Sequence, residues 1–225
     1  MVFLSFWGHY ETNYALSRTV RHNVKTTMTV DEIKTFIKAN SEKEIYDKYL
    51  LGQDVWYFEE HIKDENPLLF YDKFKKFISS KLDIHFHNIS IIGSAKTKFS
   101  FSPQKNFKEF HNKSDFDIVL VSNELFTYFW SAFYEISQNQ RIKNYPNLTS
   151  NIFRKFISVK DDDPHYDNED LKKWQRKLTE FKTQLQLEYK IYCDINYRIY
   201  ANWESVESYH LKGIKKLKEI INETN

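Results

Sequence analysis

Glycine is scarce in this chain. Only Gly8, Gly52, Gly93 and Gly213 occur in 225 residues, and no two lie within ten positions of each other. A GxGxxG dinucleotide turn, a Walker P-loop and a kinase glycine-rich loop all need clustered glycines, because the backbone must come close to phosphate. None of them is encoded here, so any nucleotide must be handled with one glycine. Cysteine is rarer still. Cys193 stands alone, which excludes a disulfide framework within the chain and a cysteine-rich zinc site. An intracellular, cytoplasmic setting is therefore expected. No apolar run approaches the ~18 residues that cross a bilayer. Met1 to Trp7 is apolar, yet short and without a basic lead-in, so no secretion signal is read there. Nor is there an excess of one charge. Basic residues number 33 and acidic residues 31, a balance that does not by itself argue for nucleic acid.

Aromatic residues are plentiful. Nineteen Phe, fifteen Tyr and five Trp belong to an apolar fraction of 41%, and a chain so composed folds around a core rather than staying disordered. Its length suits one good core or two small domains. From Thr29 the apolar period is helical. Ile33, Phe36 and Ile37 mark a helix over 31–39, further short helices follow over 42–51 and 55–62, and Asn66-Pro67 opens another that ends near Lys81. Residues 1–28 have weak periodicity. The period then changes. Ile89 to Ile92 reads as a β-branched strand ending at Gly93-Ser94, and Phe116 to Val121 reads as a second strand. Ser122 caps a helix carrying Phe126, Phe129, Trp130, Phe133 and Ile136 on one face. Residues 139–168 are polar and read as a loop or a poorly ordered insertion. A strong helix is expected over 168–189, a strand over Ile191 to Tyr200, and a last helix over 204–222. The sum is an α+β chain with a helical region over residues 1–82 and a core over residues 83–225.

Three features stand in a fixed order along that core: Gly93-Ser94 at the end of a strand, Asp115-Phe116-Asp117 opening the next, and Asp194 on a later one. Side chains at i and i+2 of a strand share a side, so Asp115 and Asp117 project together while Phe116 and Ile118 turn into the core. Two carboxylates so placed repel each other unless a cation lies between them, and hard divalent ions take such oxygen ligands. Asp194 can add a third carboxylate. Three are enough to hold two ions ~4 Å apart, the arrangement that clamps the attacking and leaving oxygens of a phosphoryl displacement. The bend at Gly93-Ser94 offers N–H groups and a hydroxyl to phosphate, and Lys96 and Lys98 follow it. Asp-x-Asp is a weak signal alone. Fourteen aspartates in 225 residues give about one such pair by chance, and Asp161 with Asp163 forms another. The ordered combination is rarer. Cys193, facing away from Asp194, reads as a core thiol. Tyr200 shares the side of Asp194, where it could stack on a base.

IIGSAKTKFSF followed by KSDFDIVLV resembles the nucleotidyltransferase superfamily with the DNA polymerase β-type core, over roughly residues 84–200. The resemblance implies a small mixed sheet flanked by helices. It also implies transfer of a nucleoside monophosphate from an NTP, most naturally ATP, to a hydroxyl, with pyrophosphate released. Asp115 and Asp117 would hold two Mg²⁺ or Mn²⁺ ions. Asp194 would bind the catalytic ion and help deprotonate the acceptor. Gly93 and Ser94 would grip the β- or γ-phosphate, with Lys96 and Lys98 as further contacts. The stretch between Ser94 and Asp115 is longer than is usual in the superfamily. Its free-standing members modify tRNA ends, proteins, antibiotics or other nucleotides, and some are toxins or signal synthases of bacterial antiphage defence. RNA or protein acceptors and a toxin–antitoxin or defence partner are thus the expected company. A catalytically silent, nucleotide- or RNA-binding subunit is the alternative.

Overall fold

Capping side chains delimit the helices of the computed structural model, which describes residues 29–164 and 166–223. Thr29 with Glu32 and Ser41 with Glu44 form capping boxes at the starts of α1 (Val30–Ala39) and α2 (Glu42–Tyr46). Each box satisfies two backbone donors that the first turn leaves free. A π-helical stretch, Asp47–Leu51, prolongs α2, and a second spans Phe58–Ile62. Asn66 caps α3 (Pro67–Leu82), with proline in the first turn where its missing N–H costs nothing. The helical region expected from Thr29 onward is present; residues 1–28, its first part, lie outside the described residues.

β1 (Ile89–Ile92) leads through a single helical turn, α4 (Ser94–Thr97), into a hairpin-like excursion over residues 98–114. Then come β2 (Phe116–Val121), α5 (Asn123–Asn139), α6 (Tyr145–Phe153), β3 (Phe156–Ile157), α7 (Glu169–Tyr189), β4 (Ile195–Tyr200) and α8 (Trp203–Glu223). The strands form one mixed sheet in the order β1-β2-β4-β3; β2 and β4 are parallel and the two edge strands antiparallel to their neighbours. The edge of β1 is partly closed by a side chain, since the Tyr71 hydroxyl of α3 accepts the Ile91 N–H at 3.0 Å.

Strand alternation sorts the sheet into two faces. Ile91, Phe116, Ile118, Leu120, Tyr197 and Ile199 enter the main core with residues of α3, α5 and α7. Ile92, Val119, Val121 and Tyr200 turn the other way and meet Val206 of α8. A separate apolar cluster joins α1 and α2 to α8 and takes Phe99 and Phe107 from the excursion. No described helix is long and apolar enough to cross a membrane.

Two expectations need correction. Residues 139–168 are not merely a loop: they hold α6, with Pro146 in its first turn and Leu148 buried, and β3, which pairs with β4 at Phe156↔Tyr200 and Ile157↔Ile199. The polar composition hid an amphipathic helix too short to show its period. The strand expected over Ile191 to Tyr200 begins only at Ile195. Before it the chain completes the end of α7. Lys190 takes a left-handed cap conformation, and the Ile191 N–H donates to the Leu185 carbonyl at 3.4 Å.

Candidate functional site

β1 ends where β2 and β4 begin, so the Gly-Ser bend and the acidic residues gather at one end of the sheet. Ile92 pairs with Asp117, and the Phe116 N–H donates to the Asp194 carbonyl at 2.7 Å. Gly93 lies against Asp117: a Cβ on Gly93 would stand 2.5 Å from Asp117 Oδ2. The glycine and the aspartate of the sequence pattern are thus in contact, and the glycine is required there by space. Its carbonyl accepts the N–H groups of Lys96 and Thr97, at 3.1 and 3.2 Å, which curls α4 over the end of β1.

Asp117 points to the α8 side of the sheet. Parallel register puts Asn196 opposite it and Arg198 one pleat further. Asn196 Nδ2 donates to Asp117 Oδ1 at 3.3 Å, and Arg198 Nη2 donates to the same oxygen at 3.2 Å. The guanidinium also donates to the Tyr209 hydroxyl and lies over the rings of Phe156 and Tyr209. Burial opposes its charge, and Asp117 together with the Tyr200 and Tyr209 hydroxyls more than restores it. The sequence carried a signal for this pair: Asn196 and Arg198 alternate along β4 and share a side.

Asp194 sits just before β4, and its side chain is 72% exposed. Lys182 of α7 donates to Asp194 Oδ1 at 3.1 Å and lies 3.6 Å from Asp161 Oδ2. Burial pulls the Lys182 ammonium down, but Asp194, Asp161 and Asp162 together outweigh it and its pKa is raised. Asp194 does not close with Asp115 and Asp117 into one cluster, and among the described residues no three His, Cys, Asp or Glu side chains come together in metal-ligating reach. Cys193, beside it, is half-buried against the main core, and burial pushes its thiol up to about 11. Tyr200 cannot stack on a base, because it is fully buried beside Phe156 and Tyr209.

Ser94 and Asp115 are two walls of a narrow cleft of about 70 Å³, closed by the excursion through Lys105, Lys108 and Lys113. The two lysines expected to serve phosphate are engaged otherwise. Lys98 pairs with Glu109 at 3.3 Å. Lys96 is 4% exposed, and its Nζ donates to the Gly52 carbonyl that ends the first π-helical stretch. Burial lowers the Lys96 ammonium to about 8, with Asp54 opposing the drop and Lys75 adding to it. Between pH 8 and the ordinary lysine value of 10.5 the unfolded chain holds a proton here that the folded chain has released. Folding therefore becomes more favourable as pH rises through that window. The stability difference between the native chain and Lys96→Met should move toward the native chain by about 1.4 kcal/mol per pH unit there. Urea midpoints at several pH values read it, and a difference independent of pH would refute the buried-cation reading.

Comparison with family models, curated proteins and solved structures finds no match to the chain.

Proposed function

We propose that this end of the sheet binds a nucleoside triphosphate with a divalent ion and, more particularly, that the chain is a metal-dependent nucleotidyltransferase. The contact between Gly93 and Asp117, with Ser94 and Asp115 on one cleft, carries the reading. It joins in space a phosphate-facing bend and a carboxylate pair that are separated in sequence. The oxygens of Asp117 and Asp194 already face positive charge, Arg198 in one case and Lys182 in the other. Such oxygen donors fit Mg²⁺ or Mn²⁺.

Asp115 and Asp117 would hold the ions, which supply charge neutralisation at the phosphates. Ser94 donates its hydroxyl to a β- or γ-phosphate oxygen. Asp194, once released by Lys182, takes the proton of the acceptor hydroxyl. The acceptor oxygen bonds to the α-phosphorus, the bond from that phosphorus to the bridging oxygen breaks, and pyrophosphate leaves with the electron pair. The two ion pairs also favour a second reading. Carboxylates neutralised by the protein's own cations need no metal, as in a silent nucleotide- or RNA-binding subunit.

Incubation with each labelled NTP and Mg²⁺ or Mn²⁺, with and without cell RNA and protein, separates the two. Asp115→Asn, which leaves the Arg198 pair intact, is the principal variant. Transfer of label by the native chain that falls at least 100-fold in the variant supports the enzyme. NTP binding without transfer supports the silent subunit. Absence of NTP binding ends the enzymatic reading and leaves only an RNA-binding form of the second.

A further inference from the structure

The excursion over residues 98–114 is pinned from within. Phe99 and Phe107 are buried among α1, α2 and α8, and Phe110 in the main core. Its two limbs are tied by the Ser100 N–H to the Lys108 carbonyl at 2.9 Å, the Phe110 N–H to the Lys98 carbonyl at 2.8 Å, and a bridge between Phe99 and Glu109. What remains outside is basic. Lys105, Lys108 and Lys113 line the cleft beside Ser94 and Asp115 and form no ion pair with a described residue, while Glu109, the acid on the excursion, is taken by Lys98. His111 lines the same cleft. Its Nδ1 accepts the Lys113 N–H at 3.1 Å, so the neutral ring carries its proton on Nε2 and offers one donor. Lys105, Lys108 and Lys113 outnumber the two carboxylates, Asp115 and Glu109, among the residues that line so small a cleft, and Glu109 is held by Lys98, so an anion that enters meets a net positive charge. Lysine charges impose no planar, two-pronged geometry, and charge shared among three lining residues matches a chain of phosphates better than a single carboxylate.

We infer that the 98–114 excursion is a polyphosphate-binding arm, holding the phosphate chain of a nucleotide over Ser94 with Lys105, Lys108, Lys113 and the Nε2–H of His111. The inference rests on the nucleotide reading above for the identity of the ligand, but not for the transfer step. It assigns to this arm the role expected of Lys96 and Lys98, and it gives a use to the unusual length between Ser94 and Asp115.

Calorimetric titration of the full chain with inorganic tripolyphosphate, without metal, tests it. Tripolyphosphate should bind, ATP should bind comparably, and AMP and a single-stranded RNA oligonucleotide should bind at least tenfold more weakly. Lys105→Ala/Lys108→Ala/Lys113→Ala should weaken tripolyphosphate at least tenfold. Lys212→Ala/Lys215→Ala/Lys216→Ala, which removes equal charge from α8, should change it less than twofold. Equal losses in the two triple variants would mean unspecific attraction and overturn the arm, as would unaltered binding in the first, or RNA binding as tightly as tripolyphosphate. Label transfer that survives in the arm variant with unaltered tripolyphosphate binding defeats the arm alone, whereas transfer that survives in Asp115→Asn defeats the enzymatic reading alone.

Discussion

Gly93→Ala should lose about 3 kcal/mol of stability, among the largest effects of any single methyl group added to this chain. Two separate causes act at the position. Gly93 has φ +73° and ψ −164°, a region essentially closed to residues with a Cβ. The added carbon would also stand 2.5 Å from Asp117 Oδ2. The carboxylate can relieve that contact only by turning, and turning disturbs the oxygen that Asn196 and Arg198 share. The backbone strain stays whatever Asp117 does. Gly93→Ala combined with Asp117→Ala should therefore lose less than the sum of the two single changes, by about 1 kcal/mol, since neighbouring sites share a cause. Gly213→Ala is the control. It lies within α8 with nothing within 4 Å of the added carbon, so it should gain up to about 1 kcal/mol from helix propensity. Urea denaturation of the four variants reads all of this. A Gly93→Ala chain as stable as the native one would mean that the bend and the carboxylate are not in contact, and the proposed site would lose its basis.

Legibility in the sequence followed the length of the signal. α3, α5, α7 and α8 have sixteen to twenty-one residues each, enough turns for the apolar period to show, and Asn66, Ser122 and Asn168 mark three of their starts. β1 and β2 announced themselves by β-branched runs against a glycine and an aspartate. α6 did not, because nine residues rich in Asn, Ser and Thr look like a loop until Leu148 meets its neighbours. β3, two residues long, exists only through its pairing with β4. At the site, the resemblance brought the Gly93-Ser94 bend near the acidic residues, and the antiparallel register of β1 and β2 sets Gly93 against Asp117. The partners of the acidic residues were less legible. Strand alternation gives the side on which Arg198 emerges, but only the parallel register of β2 and β4 shows that it reaches Asp117. Lys182 comes from α7, and nothing local in the sequence sets the angle at which a helix meets a strand end. The fate of Lys96 was hidden for the same reason, since its acceptor is the carbonyl of Gly52, far away along the chain.

The Asp117–Arg198 pair gives the last large effect. The side chains are 14% and 24% exposed, so the pair is neither a surface contact nor a fully buried one. Losing one partner of a buried pair removes ~3–5 kcal/mol, and exposed pairs contribute under ~1 kcal/mol. Asp117→Ala should fall between, at about 2 kcal/mol, because it leaves the guanidinium among Phe156 and Tyr209 without its counter-ion. Arg198→Met should lose less, since Asn196 still donates to the carboxylate and the methionine can pack on the same rings. A double-mutant cycle over the two changes should give a coupling of about 1–2 kcal/mol. The cycle also speaks to function. If Asp117 exchanges Arg198 for a divalent ion when a nucleotide binds, then saturating Mg²⁺ and ATP should shrink the coupling, and Arg198→Met should bind the metal nucleotide more tightly than the native chain, because a competing cation has gone. If the pair is a permanent strut of a silent subunit, the coupling should be the same with and without ligand, and Arg198→Met should bind no better. Thermal shift against nucleotide concentration separates these outcomes. The decisive quantity is the ligand dependence of the coupling, which a merely structural ion pair leaves unmoved.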